Sequence, residues 1–247
     1  MFGPRRVVTG TRLEPVARWL LRRPVPVRSW VEQRNAEYNA MTVKLIRRTL
    51  RTDSTTVDAG ANRGEILREL VRAAPKGTHH AFEPIPELAE QLRKVRGAVV
   101  HQIALADYAG EAIFHYFPGL DSESSLYDRP DRSAGQRVVE LTVNVRPLDD
   151  VLEARDRVDF IKIDVEGAQS ALLRGAMKTL CRDRPVIVME CHVDELPEAA
   201  DLLAEAGLDV FLIDDYLDGI QRPREEVEQV ARAKGEWYFV GAPMSAS

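Results

Sequence analysis

The chain has 247 residues, 45% of them hydrophobic and 30% charged, with a net charge of −5, a balance ordinary for a globular protein. That length suits one large domain, or one domain with an added arm, and is enough to bury a substantial core. No apolar run approaches a membrane span, and ARWLL (17–21) is too short and too broken by arginine for an export signal, so the cytoplasm is the expected location.

The charge is unevenly spread. Residues 1–51 hold twelve Lys/Arg against three Glu, a balance of +9, which leaves −14 for the rest. A basic arm on an acidic body suits either an acidic partner or docking on the body itself, and docking is the simpler reading. The aromatic interleaving of a nucleic-acid binder is absent from the arm, so no nucleic-acid partner is expected. Cys181 and Cys191 stand in no metal or redox spacing.

In chain order, residues 1–30 read as an irregular arm rich in Arg and Pro, and 31–50 as a helix. TTVDAG (55–60) is a strand, and Ile66, Leu67, Leu70 and Val71 make a helical stripe ended by Pro75 and Gly77. THHAFEP (78–84) is a second strand, Leu88, Leu92 and Val95 mark a second helix, and AVVHQIALAD (98–107) is a third strand. The rhythm then breaks: EAIFHYF (111–117) and VVELTVNV (138–145) alternate as half-exposed strands around a polar stretch, 119–136. This pair predicts a β-hairpin insertion, about 110–146, with a long loop. VDFIKIDVEG (158–167), RPVIVMECH (184–192), LDVFLID (208–214) and EWYFVGA (236–242) are later strands. A helix with Leu172, Leu173, Ala176, Met177 and Leu180 on one face follows the first of them, and another with Leu202, Leu203 and Ala206, capped by Gly207, precedes the third. The alternation predicts an α/β fold: a doubly wound, mostly parallel sheet on residues 51–247, preceded by a partly helical arm on 1–50. Ligands of such sheets bind beyond the carboxyl ends of the strands.

VDAGANRGE (57–65) sits at the first such end. Gly60 and Gly64 allow a sharp turn and a close approach by a ligand. Asn62 replaces the second glycine of the dinucleotide fingerprint, and Asp58 is badly placed for a phosphate but suits a cation. Glu83 closes the second strand, where a carboxylate can accept hydrogen bonds from both ribose hydroxyls. A ribose and an amino-acid cation without a pyrophosphate describe S-adenosylmethionine. The site expected for it comprises Asp58, Gly60, Ala61, Asn62 and Gly64, then Glu83 and Pro84, with Gln102 and Ala104 of the third strand edging the adenine, and Asp164. Asp107 is either an adenine contact or the start of the next turn.

VDAGANRG, FEPIP, IALAD–YAG, RPLDDVL, IKIDVEGAQ and RPVIVMECH, in this order over about residues 55–195, resemble the FkbM family of S-adenosylmethionine-dependent methyltransferases. The resemblance implies the class I methyltransferase fold, a Rossmann-like seven-stranded sheet with an antiparallel strand near the end. It also implies O-methylation, mostly of sugars, glycolipids or polyketide-type natural products. Gln169 departs from the glutamate usual after IDVEGA. A serine pair like Ser124–Ser125 occurs in the family's insertion, which makes SESSL (122–126) either a lid over the acceptor or a plain loop.

For the chemistry, Asp164 and Glu166 close one strand and Glu190 and His192 the next. If Glu166 is still extended, both carboxylates of the first pair share a face with Lys162. Asp164, Glu166, Glu190 and His192 are thus the catalytic candidates, with His192 as a base for the acceptor hydroxyl. Ser124, Ser125 and Lys162 are candidates for acceptor binding. Alternatively Asp164, Glu166 and Glu190 hold a divalent cation that acidifies the hydroxyl. Each residue also has a plainer role: Glu166 as a helix-start charge, Lys162 as an ion-pair partner, His192 as a surface residue. A nicotinamide-dependent oxidoreductase and a non-catalytic cofactor-binding scaffold are the competing functions. The expected partner is a small hydroxyl-bearing acceptor, with a homo-oligomer left open.

Overall fold

The computed structural model describes residues 27–118, 124–126, 138–153 and 157–243, with side chains from residue 33 onward. The expectations for the first 26 residues, and for all of the 119–136 loop except Ser124–Leu126, lie outside the described residues. The chain divides into two compact units, residues 1–39 and 40–247. In the smaller, the Arg34 guanidinium lies 5.0 Å from the centre of the Tyr38 ring within helix α1 (Val27–Thr49). In the larger, the end of α1 buries Thr42, Leu45 and Ile46, and Arg48 donates to the Leu217 carbonyl. Among the described residues no helix is long and apolar enough to cross a membrane.

The larger unit is built on a seven-stranded sheet. Its strands are β1 (Thr55–Ala59), β2 (His79–Phe82), β3 (Ala98–His101), β7 (Val158–Ile163), β8 (Val186–Glu190), β9 (Asp209–Leu212) and β10 (Tyr238–Ala242). They lie in the order β3-β2-β1-β7-β8-β10-β9. All neighbours are parallel except β10, which runs against both β8 and β9. The β-branched and aromatic residues of the central strands leave no polar face: β7 reads buried at five of its six positions. Val57, Ile161, Ile163, Ile187, Met189 and Phe239 belong to one core with Leu172, Leu173 and Leu203 from the helices. A smaller cluster sets Leu67 and Leu92 against Ala81.

The helices between strands are α2 (Glu65–Ala73), α3 (Pro86–Leu92), α4 (Gln169–Gly175), α5 (Met177–Asp183) and α6 (Leu196–Glu205), with α7 (Ile213–Asp218) and α8 (Arg224–Lys234) before β10. The hairpin insertion is present as β5 (Gly110–Tyr116) and β6 (Val139–Arg146), antiparallel throughout.

Three expectations change in detail. The third strand does not run from 98 to 107. It stops at His101, and β4 (Ala104–Leu105) pairs instead with β6, so the hairpin becomes a separate three-stranded sheet. The single helix expected after residue 167 is two, parted at Ala176. The strand expected through Gly167 ends at Ile163 and leaves Glu166 in a turn.

The RPLDDVL segment is explained by packing. A 3-10 turn, Leu148–Asp150, places the Asp149 carboxylate at the start of α5. There it accepts the amides of Lys178 at 2.8 Å and Thr179 at 2.9 Å, and the Thr179 hydroxyl at 2.7 Å. These amides open the helix and have no partner within it. Asp149→Ala should therefore cost about 1–2 kcal/mol, a fall of roughly 2–8 °C in Tm by differential scanning calorimetry, with ligand binding intact. An unchanged Tm would show that the cap contributes nothing.

Candidate active site

Register builds the site. Ala59 pairs with Phe82 on one side and Ile163 on the other, while Phe82 pairs with His101 and Ile163 with Met189. The next residues of each strand, Gly60, Glu83, Asp164, Gln102 and Glu190, therefore emerge at one level along the carboxyl edge of the sheet. A cavity opens there, with about 620 Å³ of empty space that runs out into solvent. Its lining includes Gly60, Asn62, Glu83, Pro84, Asp164 and Glu166. Ile85, Ile103, Ala104 and Leu105 give an apolar section, and Phe114 with Ser124–Leu126 brings in the insertion.

The VDAGANRGE turn owes its composition to backbone shape. Gly60, Asn62 and Gly64 all take left-handed angles, with φ of 75°, 47° and 76°. Asparagine is among the few side-chain-bearing residues that tolerate this region. At Gly60 a Cβ would lie 1.9 Å from the Asp164 carbonyl oxygen, so the two strand ends meet only with glycine there.

Glu83 ties this turn to the next. One carboxylate oxygen accepts the Asn62 amide and the other the Ile85 amide, both at 2.9 Å. The residue is 4% exposed, and burial pushes its pKa up to about 7 despite those two donors.

Asp58 and Lys162 do not line the cavity. Asp58 is 1% exposed, and burial raises its pKa to about 6 against the opposing pull of Lys162 and of the Leu67 amide. The nearest counter-charge is Lys162 Nζ at 3.9 Å. The same ammonium donates to Asp164 at 2.7 Å and to the Gly60 carbonyl at 3.4 Å. The carboxylate expected to meet a ligand cation thus faces an internal one, and the lysine expected at the acceptor is an internal ion-pair partner.

The chemistry-bearing residues separate. Asp164 and Glu166 line the cavity. Gly167, with φ 74°, bends the chain right after Ile163–Val165, so Glu166 is not extended. Glu190 lies behind. Burial first, then the Asp164 and Glu166 charges, hold its carboxyl well above the usual range, and the Tyr238 hydroxyl donates to it. Gln169, 5% exposed, donates its amide to the Glu190 carbonyl at 2.9 Å. His192 lies outside the lining, with its ring 58% exposed and Nδ1 3.5 Å from the Asp194 carboxylate. Among the described residues no three His, Cys, Asp or Glu side chains converge as a metal site, so the cluster of Asp164, Glu166 and Glu190 is not assembled. The side chain of Gln102 turns to Arg93 at 3.1 Å and that of Asp107 to Arg174 at 2.8 Å, and neither residue lines the cavity. Ile103 and Leu105 fall within the 102–105 stretch singled out in the sequence, whereas Phe114 was missed, because nothing local marks an apolar residue of the hairpin as lining a cavity.

This sheet order, with its reversed β10 and its site at the ends of β1, β2 and β7, defines the class I, Rossmann-like methyltransferase fold. The chain belongs to the methyltransferase FkbM family, whose domain model matches residues 58–210. It is 31% identical over 145 residues to Methyltransferase 1 of Beauveria bassiana, covering 50% of this chain and 58% of that one. It is 30% identical over 189 residues to methyltransferase sdnD of Sordaria araneosa, covering 62% and 73%. It is 27% identical over 170 residues to the 2-O-methyltransferase NoeI of Sinorhizobium fredii, covering 61% and 70%. The crystal structure of methyltransferase FkbM from Methylobacillus flagellatus shares the fold, with TM-score 0.50 and 18% identity over 78% of this chain and 44% of that one. The chain thus spans less than two thirds of the Beauveria relative and less than half of the Methylobacillus chain.

The raised pKa of Glu83 carries a sign. Its stabilising contribution is fully present below its ordinary 4.5 and is lost as pH rises through about 7. Between pH 6.5 and 8 Asp58, near 6, and His101, near 4, are already largely deprotonated. The Tm of the ligand-free protein should therefore fall across that interval, and Glu83→Gln should make the fall shallower. An unchanged slope would contradict the burial argument.

Proposed function

We propose that the protein transfers a methyl group from S-adenosylmethionine to a hydroxyl of a small molecule or glycoside. The observation that carries this reading is the charge of the cavity. Glu83, Asp164 and Glu166 line it, and no Lys, Arg or His does among the described residues. In a dinucleotide site the pyrophosphate sits on a glycine-rich turn at a helix start, and Asn62 stands where that turn needs its second glycine, whereas a ribose diol and a sulfonium amino acid suit a lining of carboxylates. Glu83 then holds the ribose, and Ile85, Ile103, Ala104 and Leu105 hold the adenine. Family membership and the naming of one relative as a 2-O-methyltransferase support the choice of a hydroxyl acceptor.

When bound, the donor supplies an activated methyl group, so the protein's share is positioning and proton removal. Asp164 reaches the cavity, which makes it the preferred proton acceptor with Glu166 beside it, and Lys162 orients its carboxylate. His192, exposed and paired with Asp194, is the weaker candidate.

Isothermal titration should show binding of S-adenosylmethionine or S-adenosylhomocysteine, weakened at least about tenfold in Glu83→Ala through loss of a charge-assisted contact. Binding of NAD(P) with neither of these ligands would reject the reading. Methyl-labelled donor presented with a panel of glycosides and hydroxylated natural products gives the second test. Asp164→Asn should lower the transfer rate by roughly 10²–10⁴-fold and His192→Ala by only a few-fold. The reverse ranking would make His192 the base.

A further inference from the structure

The ends of β1 and β7 hold unequal numbers of opposite charges. Register sets Asp58 of β1 directly beside Lys162 of β7. Both are buried, and Asp164, two residues on, stands in the cavity wall. Lys162 Nζ lies 2.7 Å from the Asp164 carboxylate and 3.9 Å from that of Asp58, so the ammonium is committed mainly to the first. Two carboxylates thus share one cation, and among the described residues neither has an ion pair with a second. The trio keeps a residual negative charge. Burial raises the Asp58 pKa only to about 6, so the charge is present at neutral pH. The same ammonium also acts on Glu83 at the end of β2 and on Glu190 of β8, which spreads it further.

Asp58 does not line the cavity. Its charge still reaches there, because a buried charge is poorly screened and Asp164, across Lys162 from it, is part of the wall. Methyl transfer changes the charge of what the cavity holds. As the S–CH₃ bond of the sulfonium breaks, the sulfur keeps the electron pair and is left as a neutral thioether. The acceptor oxygen gains the methyl group and gives its proton to the base.

We propose that the residual charge of the Asp58–Lys162–Asp164 trio makes the site select its ligand by charge, favouring cationic S-adenosylmethionine over S-adenosylhomocysteine, the neutral product of the transfer. Asp58 is then a specificity-determining residue that acts through space and through its claim on Lys162. The spent donor is held less tightly than the fresh one, which limits inhibition by product. The inference rests on the donor reading given above.

Isothermal titration of the full chain at about pH 7.5, where Asp58 is ionised, tests it with three ligands. They are S-adenosylmethionine, S-adenosylhomocysteine and sinefungin, an analogue with a cationic amine-bearing carbon in place of the sulfonium. The wild-type protein should bind both cationic ligands more tightly than S-adenosylhomocysteine. Asp58→Asn, which keeps the shape and removes the charge, should narrow that preference roughly three- to thirtyfold, the scale of one partly screened charge, with little change for S-adenosylhomocysteine. A merely structural role would weaken all three ligands alike. Equal loss across the three, an unchanged preference in Asp58→Asn, or a wild-type protein that holds S-adenosylhomocysteine as tightly as both cationic ligands would overturn the inference, and the last of these needs no variant to fold. A wild-type protein that binds none of the three would instead remove the donor reading itself.

Discussion

One ammonium group makes the ends of β1 and β7 compatible. The backbones of Gly60 and Asp164 approach so closely that any side chain at 60 would collide with the Asp164 carbonyl. That approach brings the buried Asp58 of β1 close to the cavity-lining Asp164, which follows β7. Lys162 Nζ lies between them, 2.7 Å from one carboxylate and 3.9 Å from the other, and also reaches the Gly60 carbonyl. Breaking a buried pair by removing one partner is far more costly than removing an exposed one, because the remaining charge is left without compensation. The site's geometry therefore rests on a cation that stands outside the cavity lining.

A second carboxylate extends this frame sideways. Glu83 joins the β1 and β2 turns through the Asn62 and Ile85 amides, and the bond to the Asn62 N–H is made with that residue's backbone left-handed. Burial alone would favour protonation of Glu83, and its two amide donors offset part of that. A polar ligand group with two hydroxyls would complete the set of donors, which is why this position carries the argument for a ribose.

Much of this was legible in the sequence because the relevant signals are local. The βα rhythm, the turn residues from Asp58 to Gly64, the glutamate closing the second strand and the alternating hairpin all report on neighbours within a few positions. What was not legible depends on partners distant in the chain. AVVHQIALAD reads as one continuous strand, yet β4 is captured by β6, some forty residues on. Lys162 reads in sequence as an acceptor ligand or an ion-pair partner, and only Asp58 and Asp164 on either side of it decide for the pair. Glu166 and His192 share the i, i+2 spacing that suggested paired faces. In each case the strand stops first: Gly167 bends one chain, and the His192 carbonyl accepts amides from Glu195 and Leu196 as α6 begins on the other. Ser125 illustrates the same limit, since the Glu166 carbonyl to which its hydroxyl donates lies 41 residues away.

The central claim is that the carboxyl edge of β1, β2 and β7 receives an adenosyl ligand through Glu83. A crystal structure of the protein with S-adenosylhomocysteine tests it most directly. The account predicts both ribose hydroxyls within about 3 Å of the Glu83 carboxylate, the adenine against Ala104 and Leu105, and the sulfur on the side of Asp164 and Glu166. A ligand bound elsewhere, or seated in the cavity with its ribose away from Glu83, would contradict it.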